Sequence, residues 1–127
     1  MSIFTTIVAR VLYALPIFVF GLNHFLKMGD MAAVVPPFFP FPSFWVALTG
    51  LGLIAAATAI VTGKIAKLAS LLLGAMLIVF VLTIHIPGLG SSDAMMAQMA
   101  MAGMLKDIAL AGAAFFMAGI FNKEGSN

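Results

Sequence analysis

Four apolar stretches, separated by short polar or proline-rich breaks, occupy almost the whole chain and limit what it can fold into more than any other feature. At about 1.5 Å of rise per residue, some 20 apolar residues match a ~30 Å hydrocarbon layer. The segments 3–25, 43–62, 68–86 and 97–121 reach or approach that length, which predicts four membrane-spanning helices. Strand-like alternation is absent, and an open sheet would leave backbone groups unpaired in lipid, so helices are favoured over a barrel. The expected fold is all-α: an integral membrane antiparallel four-helix bundle, forming a single transmembrane domain over residues 1–127. With 64% hydrophobic and 8% charged residues, no separate soluble domain is expected. The N-terminal run has neither preceding basic residues nor a small-residue cleavage pattern, and reads as the first helix rather than a secretory signal.

The charges that remain are informative by position. A net charge of +2 comes from scattered Lys and Arg rather than a basic run, which gives no support to nucleic-acid binding. The absence of Cys excludes disulfides, thiol relays and Cys-ligated zinc or iron–sulfur centres. With four spans, both termini share a side with the turn 63–67. Arg10, Lys64, Lys67 and Lys123 fall toward that side against Lys27 on the other, which predicts cytoplasmic termini. The first outer loop, 27–42, carries Pro36, Pro37, Pro40 and Pro42 among phenylalanines and cannot be helical throughout. Its aromatics fit an interfacial anchor better than a lid over the bundle. Pro16 is expected to bend the first helix. Small residues at Ala55, Ala59 and Gly63, and at Ala109 and Ala113, predict close helix packing.

Polar residues inside spans are expensive in lipid and therefore mark candidate sites. His24 closes the first helix and His85 the third, at the same outer end, while the fourth helix brings Lys106 and Asp107 in from that side. Asn23, His24, His85, Lys106 and Asp107 thus form the candidate ligand-binding layer. Lys106 and Asp107 lie about 100° apart on their helix, so at least one needs a partner elsewhere. Two readings of Asp107 stay open: a structural ion pair with Arg10, or a carboxyl left free while Arg10 reaches the inner head groups. The methionines Met95, Met96, Met99, Met101 and Met104 surround their helix instead of sharing a face, so adaptable packing is preferred to copper binding and no metal is expected.

Arg10, Gly21, His24-Phe25, Thr49-Gly50, the turn from Gly63 to Lys67 with Leu68-Ala69 after it, His85, and Lys106-Asp107-Ile108-Ala109-Leu110 together resemble the DoxX family over nearly the whole chain. That resemblance implies a small four-helix protein of the bacterial inner membrane linked to a redox system. Members often carry Glu shortly after the Thr-Gly pair, whereas this chain has Leu51-Gly52-Leu53. The expected function is binding of a quinone or similar lipid-like molecule in the outer half, with His24 and His85 donating to its head. A membrane or redox partner protein is expected beside it. The alternative is a non-catalytic membrane subunit or assembly factor, and a proton-coupled transporter is the weakest reading because no internal repeat is evident.

Overall fold

A computed structural model of the chain describes residues 4–33 and 35–123, the side chains of residues 4, 5, 122 and 123 excepted. A π-helical turn, Phe4–Val8, leads into α1 (Ala9–Leu26), and one short helix, α2 (Met28–Ala32), opens the first loop. Next come α3 (Pro42–Thr62) and α4 (Ala66–Phe80), the latter prolonged by a π-helical turn, Val81–His85, and by α5 (Ile86–Gly88). The last element is α6 (Ala94–Lys123), and no strand occurs among the described residues. Four stretches are long and apolar enough to cross a membrane: Thr6–Leu26, Pro42–Thr62, Ala66–Gly88 and Ala94–Phe121. They match the four expected spans with ends shifted by a few residues; Ile3, where the first was expected to begin, lies outside the described residues.

Local chemistry sets these ends. Pro42 begins α3, where its fixed φ suits a helix and its missing N–H would have been unpaired anyway. Gly63 ends α3 in the left-handed region at φ 80°, its N–H bonded to Ala59 O at 2.9 Å. Phe41 (φ 54°) and Ile65 (φ 47°) also lie in that region, each immediately before a helix, where a side chain costs about 1–3 kcal/mol. Near the end of the third span, Pro87 cannot donate to the Thr83 carbonyl, and the preceding turn widens, with Ile86 N–H pairing to Val81 O. By contrast α1 runs uninterrupted through Pro16.

The helices pack as α1 on α3, α3 on α4 and α4 on α6, with α2 against α3. At the α1–α3 crossing two glycines let the backbones meet: a Cβ on Gly21 would stand 2.9 Å from Gly50 O, and one on Gly50 would stand 2.7 Å from the His24 Cβ. Between α4 and α6, Gly74 makes room for the Phe115 ring, 2.6 Å from where its Cβ would be. The core joins Ile17, Leu53, Ile60, Leu73, Leu77 and Phe121 with buried alanines.

The expected small-residue rows hold in part. Ala59 is buried and Ala113 half-buried, but Ala55 and Ala109 are exposed, and Ala56, Ala57, Ala111, Ala114 and Ala118 complete the packed faces. Helices α3 and α6 carry alanines and glycines on every side, so spacing alone did not select the packed face. α1 and α6 are linked by long side chains. The Tyr13 hydroxyl donates to Leu110 O at 2.6 Å, and the Arg10 guanidinium lies 4.7 Å from the centre of the Phe121 ring.

Candidate functional site

One end of the bundle gathers the polar residues. His24 sits in the last turn of α1, beside the Gly21–Gly50 crossing, and its ring makes a T-shaped pair with the Phe20 ring, centroids 5.2 Å apart. Its Nδ1 is 2.8 Å from Phe20 O, one helical turn back. His85 closes the π-helical turn of the third span, a class of bulge that often re-aims a side chain at functional sites. Its imidazole rests on α6 at Gly103, where a Cβ would fall 2.7 Å from the ring. One turn further along α6, Asp107 takes up the His85 Nε2 at 2.8 Å through Oδ2. Asp107 is only 3% exposed, so this contact joins a buried carboxylate to the histidine of a neighbouring helix.

Lys106, exposed on the next position of α6, places its Nζ 5.0 Å from the centre of the Phe20 ring and 4.0 Å from Asp107 Oδ1. The long flexible stem closes most of the ~100° between adjacent helical residues. A lysine over an aromatic face gains a cation–π attraction, so Lys106 bridges α6 to α1.

These groups border one cavity of about 400 Å³. His24, His85, Lys106 and Asp107 share its wall with Phe20, Val46, Thr49, Val79, Phe80, Thr83 and Ile84 from the spans. The first loop supplies Met31, Val35, Pro36 and Phe39, and Trp45 stands where that loop enters α3. The Trp45 Nε1–H donates to Pro40 O at 2.7 Å, and its ring meets Phe39 at 5.6 Å, which fastens the loop against the helix start. The loop has two sides: Phe38 and Phe41 are 73% and 77% exposed, while Met31, Val35, Pro36 and Phe39 line the cavity. Apolar lining with a few convergent polar groups is the usual character of a small-molecule site.

Of the expected site residues, four meet at this cavity and two do not join them. Asn23 is half-buried but is not part of the wall; its carbonyl accepts the Lys27 N–H at 2.8 Å. The expected Arg10–Asp107 pair is not formed. Arg10 stacks over Phe121, fourteen residues and hence about 21 Å along α6 from Asp107. Asp107 engages His85 and Lys106 instead. The reason is depth: His85 lies level with Asp107, whereas Arg10 lies at the level of Phe121. Among the described residues no group of three or more His, Cys, Asp or Glu could hold a metal ion. Met95, Met96, Met99 and Met101 are exposed on α6.

Sequence reasoning passed over Gly103, Phe20, Thr49 and Trp45. Gly103 had a readable signal, since it precedes Asp107 by four residues and so shares its helix face. Phe20 stands in the same relation to His24.

Fold and site together define a small all-helical protein with four apolar spans and one polar-walled cavity at the histidine end. The chain belongs to the DUF8561 family, a domain of unknown function whose profile matches residues 13–118. No curated protein and no solved structure matches it.

Proposed function

We propose that the protein is a multi-pass protein of the bacterial inner membrane, an antiparallel four-helix bundle of DoxX type that binds a quinone or comparable lipid-like molecule in its outer half. The observation that carries this reading is the ~400 Å³ cavity whose mostly apolar wall contains His24, His85, Lys106 and Asp107. Thr49 and Thr83 add hydroxyls, although the Thr83 hydroxyl already donates to Val79 O at 2.7 Å. An apolar ring or chain fills the loop side, and the polar head meets the imidazoles. His85, braced by Asp107 and seated on Gly103, is held in one orientation, as a binding group needs to be. A quinone-binding protein of this kind positions its ligand for a membrane redox partner.

Antiparallel packing is supported by the order of contacts. Arg10, Tyr13 and Phe20 of α1 meet Phe121, Leu110 and Lys106 of α6, in descending order. The resemblance to DoxX rests on short motifs in a shared order, and the cavity argument stands without it. Cytoplasmic termini follow from Arg10, Lys64, Lys67 and Lys123 at one end against Lys27 and Lys106 at the other.

The test is binding of a short-chain quinone and of its quinol, each dialysed separately against the full chain in mild detergent. His24→Phe with His85→Phe keeps most of the apolar volume and should weaken binding of the tighter form roughly tenfold or more, since each lost polar contact is worth about 1 kcal/mol. Unchanged affinity in a folded double variant would refute the shared site, and the assembly-factor reading would take its place.

A further inference from the structure

We infer that the cavity selects a head group bearing a hydroxyl, such as a phenol or a quinol, over one with carbonyls alone, because His24 is fixed as a hydrogen-bond acceptor. This rests on the small-molecule reading above and sharpens it. A backbone carbonyl can only accept, so the Nδ1 that lies 2.8 Å from Phe20 O carries the ring proton. An uncharged imidazole has one N–H, which leaves Nε2 as a lone pair.

Nε2 has no protein partner among the described residues. Nor is it sealed off: among the described residues the only fully buried side-chain polar atom without a partner is Ser70 Oγ, on α4. Since His24 is only 8% exposed and borders the cavity, the open surface left to Nε2 is on the cavity side. An acceptor in an apolar wall rewards a ligand that donates to it and penalises one that cannot. A quinone has no O–H or N–H and cannot donate, whereas its two-electron, two-proton reduced form has two hydroxyls. The charges at the site agree, because Lys106 and Asp107 cancel and leave no demand for an ionised head.

The experiment compares 4-hexylphenol with 4-hexylanisole, which differ by a methyl cap on the donor. Binding to the detergent-solubilised full chain is measured by equilibrium dialysis, with partition into protein-free micelles subtracted. The phenol should bind roughly 5- to 100-fold tighter, the range for leaving a buried acceptor unpaired. In His24→Phe the ratio should fall to near one. Equal binding of both compounds to the wild type, or a preference that survives in His24→Phe, overturns the acceptor assignment and leaves the cavity reading standing. Binding of neither compound overturns both. The wild-type ratio needs no variant, so poor folding of His24→Phe does not remove the test.

Discussion

The two ends of the bundle draw on the same apolar residues and use them to opposite effect. Around the Gly63 turn, Ile60, Ala66 and Phe121 are at most 2% exposed, and the Phe121 ring fills the space between helices beneath Arg10. At the histidine end, residues no less hydrophobic line an opening of about 400 Å³. The connections differ in length. Two residues separate Gly63 from α4 and draw α3 and α4 together, whereas residues 33–41 of the first loop and 89–93 of the last leave the opposite ends free to spread. A groove of about 380 Å³ between α1 and α3, lined by Val11, Leu15, Phe18 and Val61, lies toward the Gly63 end, so the polar wall of its cavity rather than empty space alone sets the histidine end apart.

The largest effect that could break this comparison is expected at the closed end. Ile60→Ala should destabilise the protein in detergent by about 2–5 kcal/mol, because the neighbours cannot collapse into the space. Val46→Ala, on the cavity wall, should cost distinctly less per carbon removed. Chemical or thermal denaturation of both variants checks it, and equal costs would mean that the histidine end is as tightly packed as the other.

Next in size is Asp107. Replacement by Leu leaves the His85 N–H without its acceptor and should cost about 2–3 kcal/mol, while Asp107→Asn keeps an oxygen and should cost about half as much. Identical melting temperatures for wild type and both variants would show that the contact adds nothing to stability. A smaller effect, about 1–2 kcal/mol, is expected for Gly103→Ala, whose added methyl displaces the His85 ring. Its sharper readout is quinone affinity, which should fall while Gly112→Ala, in open space on the same helix, leaves it unchanged. Orientation carries no energetic cost and is read by labelling. Ser91→Cys should react with an impermeant thiol reagent from outside intact cells and Lys64→Cys should not; the reverse pattern would invert the assigned topology.

The spans were legible because about 20 apolar residues have few alternatives in lipid. His24, His85, Lys106 and Asp107 were legible for the complementary reason, that polar groups in such a background are costly and few. What stayed hidden depends on rotation about helix axes. With small residues on all sides of α3 and α6, nothing in the pattern said that Ala56 and Ala111 face inward and Ala55 outward. For Asp107 the sequence offered an ion pair with Arg10 or a free carboxyl and not His85, because the π-helical turn that brings His85 level with it has no clear signature beyond Pro87. The loop 27–42 was read for its aromatics, which hid its second side, because proline-rich backbone has no fixed period from which to tell one face from the other.

The only tryptophan of the chain, Trp45, stands in the cavity wall with its indole N–H bound to Pro40 O. The protein therefore carries its own optical reporter in the wall of the candidate cavity. Indole emission shifts with the polarity of its surroundings, so exchange of water for an apolar ring beside Trp45 moves the spectrum to shorter wavelength. An electron-accepting quinone in the same position quenches it. With no second tryptophan to dilute the signal, the native chain reports filling of the cavity in real time, without a label and inside an intact bilayer.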